Sequence, residues 1–237
     1  MDSTLLVWFE ANGHDLPWRR TRDPYAILVS EVMLQQTQAA RVVPRYVAWL
    51  ERWPTVEALA AAPAADVIRA WQGLGYNRRA LHLHRAANAI AERGWPDDLT
   101  TLPGVGAYTA AAIRRFAFGE RVLPLDTNVR RVQERTEHRF APECAQALMD
   151  LGRTVCLARV PRCGSCPLAG MCPSRGRTYP PQRRQPPLEG SFRQRRARAL
   201  RLVAERPRDV VELDAEAVEA LARDGLVRIV QELVRLP

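Results

Sequence analysis

The chain has 237 residues, of which 47% are hydrophobic, and its formal net charge is +9. This length allows one large domain or two small ones with a buried core. No apolar run reaches the roughly 20 residues of a membrane span, and the N-terminus lacks a signal-peptide pattern, so we expect a cytoplasmic protein without a membrane partner. The positive charge favours a polyanion as partner, although every basic residue is arginine, which a bias in codon usage would also produce.

The first 141 residues carry a helical pattern. Residues 1–22 are predicted to contain a short helix that ends before Leu16-Pro17-Trp18-Arg19. From Pro24 to about Ala141, apolar residues recur at three- and four-residue steps, and glycines and prolines fall where helices should stop. Because the alternation typical of strands is essentially missing, the fold class is predicted to be all-α.

The segment Ser-Glu-Val-Met-Leu-Gln-Gln-Thr at 30–37 lies in this helical stretch. At helical spacing Glu31 shares a face with Ile27 and Leu34, which would bury a carboxylate among apolar groups. Burial would raise the pKa of that carboxyl and keep it protonated near neutral pH, as a general acid requires. Charged residues on helices are usually exposed, however, so periodicity without further evidence still leaves a solvated Glu31 favoured over a buried one.

Residues 102–110 read Leu-Pro-Gly-Val-Gly-Ala-Tyr-Thr-Ala. Two glycines around a valine make a tight turn that exposes backbone N–H groups at a helix N-terminus, where a phosphate can bind. The nine-residue match to the helix–hairpin–helix signature favours this interpretation over an ordinary glycine-capped connection. We expect Gly104, Val105, Gly106 and Thr109 to contact a nucleic-acid backbone irrespective of its base sequence.

Asp126 follows the hairpin by about twenty residues, just before Thr127 and Asn128. Its simplest role is to cap the helix that begins there. A capping aspartate at the rim of a pocket is ionised and held in place, so a chemical role is compatible with capping.

Four of the five cysteines are separated by 6, 2 and 5 residues: Cys156, Cys163, Cys166 and Cys172. Cytosolic proteins seldom keep structural disulfides, so this spacing indicates metal ligation by a 4Fe–4S cluster or a structural zinc. Zinc ribbons prefer two separated Cys-x-x-Cys pairs, and only one such pair is present, which favours the 4Fe–4S cluster. Cys144 lies outside the set and is expected to be a buried thiol.

Residues 178–190 are rich in proline and polar side chains and are predicted to form a linker. Helices are predicted at 193–205 and 214–224, followed by one or two short strands at 226–236, which together suggest a small winged-helix-like module at 191–237. The module either binds DNA or serves as a packing cap, and its sequence leaves both open. The arginines that would bind DNA are Arg193, Arg195, Arg196 and Arg198.

Together these segments resemble the endonuclease III superfamily of helix–hairpin–helix DNA glycosylases and, within it, the adenine-specific mismatch glycosylase (MutY-like) branch. The resemblance covers roughly residues 1–175 and rests on segments 15–19 (Asp-Leu-Pro-Trp-Arg), 30–37 and 73–76 (Gly-Leu-Gly-Tyr), together with the hairpin and the cysteine spacing. It implies two helical domains, one at 23–128 with the hairpin and one formed by 1–22 and 129–177 around a 4Fe–4S cluster.

The resemblance also implies roles for individual residues. Glu31 would protonate a ring nitrogen of adenine, and Asp126, supported by Asn128, would stabilise the oxocarbenium-like sugar, directly or through a covalent acetal, and then help water add. Tyr108 occupies the position of the Schiff-base lysine in the bifunctional branch, and a chain without lysine is excluded from lysine-based strand cleavage. The expected substrate contacts are Trp18, Arg19 and Leu34 around the extruded base, Gln146 at the adenine edge, Gln36 and Tyr76 as the wedge beside the opposite base, and Gln35.

Three departures from the family pattern stand out. His14 replaces an arginine, the chain from Asp126 to Gln146 is short with Asp-Thr-Asn in place of Asp-Gly-Asn, and we expect the usual C-terminal 8-oxoguanine-recognition domain to be absent. We expect a monomeric, monofunctional base-excision repair glycosylase of the bacterial cytoplasm and nucleoid. Its expected substrate is double-stranded DNA containing a mismatch or lesion, with adenine removed from A:8-oxoG or A:G. The alternatives are a glycosylase for another base (thymine or uracil in G mismatches, or hypoxanthine) and a non-catalytic iron–sulfur DNA-binding protein.

Overall fold

A computed structural model describes residues 1–180 and 186–237 of the chain. Within these ranges there are eleven α-helices and three short strands, which confirms the mostly helical class. The helices are α1 (Asp2–Asn12), α2 (Pro24–Leu34), α3 (Ala39–Arg52), α4 (Val56–Ala60), α5 (Ala64–Trp71), α6 (Arg78–Arg93), α7 (Ala107–Phe116), α8 (Thr127–Thr136), α9 (Ala145–Thr154), α10 (Phe192–Glu205) and α11 (Ala215–Arg223); the strands are β1 (Arg208–Asp209), β2 (Arg228–Val230) and β3 (Leu233–Arg235). No helix in the described ranges combines the length and apolarity that a bilayer crossing requires.

Residue contacts divide the chain into two compact units. The first contains Met1–Ile27 and Gly106–Arg184, and the second contains Leu28–Val105 and Gln185–Pro237. The domain boundaries expected from the sequence stay a prediction, and residues 181–185 of the expected linker lie outside the described residues.

The first unit has a core made by α1, α8 and α9. Leu5 of α1 packs with Val129 and Val132 of α8 and with Leu148 and Leu151 of α9, all of which are fully buried. These positions recur at helical spacing, which is why the apolar side of each helix faces the same core. Cys144 is buried as expected, and burial raises the pKa of its thiol to about 11.

The second unit has an aromatic centre. Trp49 meets Trp53 and Trp71 edge-on, with ring centroids 4.7 and 5.5 Å apart, a geometry that aromatic rings favour. Thr55 caps α4 by accepting a hydrogen bond from the Ala58 N–H, so this short helix begins with one of its free donors satisfied.

The C-terminal residues of the second unit form two helices and a three-stranded antiparallel sheet. The strand order is β1-β3-β2, with Ile229 opposite Val234. Ser191 and Asp214 cap α10 and α11 with side-chain oxygens. The helix–helix–strand–strand order predicted for 191–237 is confirmed, while β1 was not predicted from its sequence.

Candidate active site

Glu31 is buried on α2. Its side chain is 6% exposed, and the neighbouring Leu28, Val29, Val32 and Met33 are all buried apolar residues. The solvated Glu31 that periodicity alone favours is therefore wrong. A general acid for a leaving base is typically shielded from bulk water, and the burial of Glu31 is compatible with that role.

The carbonyl end of α2 is held by the buried guanidinium of Arg79. This group donates hydrogen bonds to two chain segments. In segment 32–37, Nη1 donates to the carbonyls of Val32 (2.8 Å), Met33 (3.0 Å) and Gln35 (2.6 Å), and Nη2 donates to Thr37 Oγ1 (3.2 Å). In segment 74–76, Nη2 donates to the carbonyls of Leu74 (3.3 Å) and Gly75 (3.0 Å), and Nε donates to the carbonyl of Tyr76 (3.4 Å). Burial lowers the pKa of Arg79 to about 10, so the group is still charged at neutral pH. It satisfies carbonyls of the last turn of α2, which have no partner inside the helix.

Gln36 and Tyr76, the two expected wedge residues, lie in the segments that Arg79 joins. Both have left-handed backbones, with φ of 55° and 47°. Side chains other than glycine rarely adopt this conformation, and such strain persists where surrounding contacts enforce it, often at functional positions. Tyr76 is 47% exposed, and the Arg79 guanidinium lies 5.5 Å from the centre of its ring.

The hairpin turn at Leu102–Gly106 needs its first glycine. Gly104 has φ of +81°, and a Cβ there would lie 2.8 Å from the Cβ of His82. Gln35 Nε2 donates to the Gly104 carbonyl (3.4 Å), which ties the turn to the segment after α2. Gly106 is the N-cap of α7 and has no side chain to cover the first N–H groups of that helix.

The predicted hairpin contacts with a nucleic-acid backbone remain predictions. The side chains of Val105 and Thr109 are buried, and the Val105 N–H closes the turn on Leu102 O (3.1 Å). Tyr108 is half-buried in the first turn of α7.

Asp126 is the N-cap of α8, as the sequence predicts. Its carboxylate accepts from the Val129 N–H (2.6 Å) and from Asn128 Nδ2 (2.9 Å), which fixes its orientation. Asn128 Oδ1 in turn accepts from Arg131 Nη2 (2.7 Å). The same guanidinium donates through Nε to the carbonyl of Cys156 (2.8 Å), the first cysteine of the loop. Hydrogen bonds therefore connect the half-buried Asp126 to the backbone of the cysteine loop inside the first unit.

Space beside Asn128 is limited by α9. A Cβ added at Gly152 would lie 2.6 Å from the Asn128 Cβ, and the Gly152 carbonyl accepts from Arg131 Nη2 (2.5 Å). Glycine is therefore the only residue type at position 152 that lets α9 approach Asn128 this closely.

Arg19 is held by a buried carboxylate. Its Nη1 and Nη2 donate to the two oxygens of Asp150 (2.8 and 2.9 Å), a bidentate pair. The His14 N–H and Arg153 also donate to Asp150 (2.9 and 3.0 Å). Burial raises the pKa of Asp150, but the hydrogen bonds from Arg19 and His14 and the charges of the two arginines outweigh it, so that pKa lies below its ordinary value.

Arg19 belongs to the 3-10 turn Pro17–Arg19 together with the buried Trp18, and Gln146 is half-buried on α9. The pocket roles expected of these three residues, and of the half-buried Leu34, stay predictions.

The four spaced cysteines line one cavity, together with apolar side chains such as Val132, Leu151 and Leu168. Donors point at the sulfurs: Arg135 Nη1 lies 3.4 Å from Cys156 Sγ and the Gly176 N–H lies 3.3 Å from Cys163 Sγ. Across the described ranges, however, no three His, Cys, Asp or Glu side chains are arranged to hold a metal ion. The four cysteines thus share one cavity, and two of their sulfurs have N–H donors beside them.

Arg79, Arg131, Asp150 and Gly152 were not predicted from the sequence. No local pattern distinguishes the arginines from other arginines of a lysine-free chain, because each also has acceptors that lie 21 to 47 residues away.

Comparison with known proteins places these features in a family. The model described as "HhH-GPD superfamily base excision DNA repair protein" matches residues 29–143. An adenine DNA glycosylase of Mycobacterium tuberculosis is 44% identical over 273 aligned positions, covering 95% of this chain and 90% of the relative. An adenine DNA glycosylase of Mycolicibacterium smegmatis is 47% identical over 194 positions, covering 70% and 66%. The solved structure of a thermostable thymine-DNA glycosylase has a TM-score of 0.66 and 28% identity, covering 73% of this chain and 94% of that one.

The alignment with the Mycobacterium tuberculosis protein leaves 5% of the chain unmatched, which is less than residues 191–237, so it extends into the C-terminal residues. A relative of this identity, aligned over most of both chains, shows the family. The chain belongs to the adenine DNA glycosylases of the HhH-GPD superfamily of base excision DNA repair proteins.

Proposed function

We propose that this protein is a monofunctional glycosylase that flips adenine out of mismatched double-stranded DNA and hydrolyses its N-glycosidic bond. The burial of Glu31 on α2 is the structural observation that carries the proposal, since a general acid for a leaving base is typically shielded from bulk water. The 44% identity to a protein named adenine DNA glycosylase supports adenine as the base.

In the proposed reaction, Glu31 gives its proton to a ring nitrogen of adenine. The bond between C1′ and the base nitrogen then breaks, and its electron pair leaves with the base. Positive charge develops on C1′ and the ring oxygen of the sugar, and the Asp126 carboxylate stabilises it. A water oxygen then bonds to C1′, and its proton passes to a carboxylate of the site, which leaves free adenine and an abasic nucleotide.

The fixed orientation of Asp126 supports its part in this scheme. Two hydrogen bonds, from the Val129 N–H and from Asn128, hold the carboxylate before substrate arrives, so little reorganisation is needed when charge develops. Tyr108 takes no Schiff-base role because its side chain has no amine. Since the chain contains no lysine, the proposed activity ends at the abasic site.

The remaining site residues have binding roles in this proposal. Trp18, Arg19 and Leu34 surround the extruded base, Gln146 reads the adenine edge, and Gln35, Gln36 and Tyr76 lie by the base opposite. The hairpin residues Gly104, Val105, Gly106 and Thr109 grip the DNA backbone mainly through main-chain groups, because the two glycines have no side chain and the side chains of Val105 and Thr109 are buried.

We further propose that Cys156, Cys163, Cys166 and Cys172 hold a 4Fe–4S cluster, for which their shared cavity and the N–H donors to sulfur are the support. When bound, the cluster orders the loop around Arg159 and Arg162 for contact with phosphates rather than taking part in the reaction. Substituting Cys166→Ser should remove the brown colour and weaken DNA binding. A colourless variant that binds DNA like the wild type would contradict this role.

The decisive experiment incubates the purified protein with duplexes that carry A:8-oxoG or A:G, followed by alkali cleavage at abasic sites. Glu31→Gln keeps the size of the side chain but removes the acid, so single-turnover excision should fall by roughly 10²–10⁴-fold. The exposed Glu51→Gln is the matched control and should retain the wild-type rate. Intact adenine in both duplexes would refute the proposed function. Full activity of Glu31→Gln would refute the role of Glu31 as the general acid.

The same assay tests the main alternative, a glycosylase for another base. The resemblance to a thymine-DNA glycosylase is the observation that favours it. A panel with T:G, U:G and hypoxanthine duplexes decides it, since excision confined to one of these would replace adenine in the proposal. Binding without excision from any duplex would instead indicate the non-catalytic iron–sulfur protein.

A further inference from the structure

The C-terminal residues 191–237, called the C-terminal module below, are seated on α5 and α6 of the second unit. Leu200, Val203 and Leu221 of the module share a hydrophobic core with Ile68 of α5 and Leu81 of α6. Polar contacts reinforce the packing, since Arg69 Nε donates to the Ala204 carbonyl (3.0 Å) and Arg78 pairs with Asp224 (3.6 Å). The module is therefore part of one packed body with these helices.

This packing creates a groove between the module and the expected wedge. It is lined by Gln36, Tyr76 and Arg78 together with Arg193, Arg196 and Asp224 of the module; we call it the α10 groove. Both wedge residues thus line the same space as residues of the module, inside one unit.

The chemistry of the α10 groove matches a nucleic-acid strand. Its described lining contains four arginines, Arg79 included, and one carboxylate, that of Asp224. His82 adds no charge at neutral pH, since burial and the charges of Arg78 and Arg85 lower its pKa. The net charge of the lining is therefore +3. An exposed tyrosine among arginines combines a stacking surface for a base with cations for phosphates.

Arg193 is the arginine of the groove with the most available charge. Asp224 pairs with both Arg78 and Arg196. Arg193 donates to the carbonyls of Pro186 (2.5 Å) and Pro187 (3.4 Å), which are neutral acceptors and leave its charge uncompensated. By contrast, Arg195 on the opposite side of α10 is paired with two carboxylates.

We infer that the α10 groove binds the DNA strand that carries the base opposite the excised adenine, with Arg193 on a backbone phosphate and Tyr76 against the bases. The inference rests on the proposed function, in which Gln36 and Tyr76 lie beside that opposite base. It gives the C-terminal module a part in DNA binding rather than the role of a packing cap alone.

The test measures binding, not excision. Fluorescence anisotropy follows the full-length protein on a duplex with a stable abasic analogue opposite G, over a range of salt concentrations. Single methylphosphonates, which remove one phosphate charge, are placed around the opposite base in one set of duplexes and at the matching positions of the other strand in a second set. The variants are Arg193→Ala, Arg193→Lys and the control Arg198→Ala. The sequence alone places Arg198 in the same candidate set as Arg193, but Arg198 is exposed and does not line the α10 groove, so its substitution removes one positive charge of the same helix outside the groove.

We expect Arg193→Ala to weaken binding roughly tenfold and to lower the slope of log K against log salt by about 0.9, the value for one phosphate contact. In the wild type and in Arg198→Ala, one methylphosphonate near the opposite base should cost a similar factor, and in Arg193→Ala it should cost nothing further. Arg193→Lys should recover most of the salt slope, which separates the lost charge from any loss of folding.

Equal binding of Arg193→Ala and Arg198→Ala would overturn the inference, as would a methylphosphonate effect confined to the strand that carries adenine. Failure of the proposed function is distinguishable, because it leaves adenine intact whatever Arg193→Ala does to binding.

Discussion

The clearest test of the architecture is to remove the guanidinium of Arg79. Arg79→Met keeps much of the length of the side chain but deletes every hydrogen bond to the 32–37 and 74–76 segments. The carbonyls of Val32 and Met33, in the last turn of α2, then lose the hydrogen bonds that Arg79 donates to them. Both segments that present the wedge residues lose their common anchor.

The expected magnitude follows from the number and burial of these contacts. Each buried carbonyl left without a donor costs about 1–3 kcal/mol where water cannot replace it, and breaking a buried charged network costs about 3–5 kcal/mol as a whole. Against a typical total stability of about 5–15 kcal/mol, a loss of about 3–5 kcal/mol is large. For a chain of this size it corresponds to a fall in melting temperature of roughly 6–20 °C.

Urea unfolding followed by circular dichroism measures the free energy of unfolding directly. Arg85→Met on the exposed side of α6 is the matched control and should change it by less than about 0.5 kcal/mol. Arg79→Lys keeps the charge but offers fewer donors, so its loss should fall between the two. A wild-type value for Arg79→Met would refute the reasoning that this guanidinium anchors both segments.

Two further perturbations test the first unit. Gly152→Ala places a methyl group 2.6 Å from the Asn128 Cβ, so the free energy of unfolding should fall by about 1–3 kcal/mol and adenine excision should slow. The control is Gly170→Ala, whose added methyl group meets nothing within 4 Å and should change neither quantity. An unchanged excision rate in Gly152→Ala would contradict the limited space beside Asn128. The Asp150 pKa is lowered in the folded state, so Asp150 stabilises the protein above its ordinary pKa of 3.8, and this contribution is lost as pH falls through the lower folded value. Asp150→Asn should therefore be less stable at neutral pH and lose part of the acid dependence of the urea midpoint between pH 7 and pH 3; midpoints that fall in parallel with the wild type would exclude this role.

The hydrogen bonds around Asp126 show how structure and chemistry share residues in the first unit. The carboxylate that is proposed to stabilise the sugar also caps α8, and Asn128 and Arg131 extend the contact to the Cys156 carbonyl. Perturbing the cysteine loop should therefore affect the orientation of Asp126 as well as DNA binding.

Features that depend on a few neighbouring residues could be predicted from the amino-acid sequence. The hairpin needs glycine where φ is positive, the cap at Asp126 needs a short oxygen acceptor before α8, and the cysteines need a fixed spacing in one loop. Helical periodicity likewise predicted the mostly helical class and the two helices in 191–237.

Which polar groups are buried, and which groups they bind, depends on the tertiary structure. Glu31 is enclosed although local periodicity favours exposure, and Arg79 finds acceptors more than 40 residues earlier in the chain. The seating of the C-terminal module against Ile68 and Leu81, and thus the α10 groove, also arises from residues far apart in sequence. Burial and long-range hydrogen bonds are sums over such distant contacts, so no short motif can encode them.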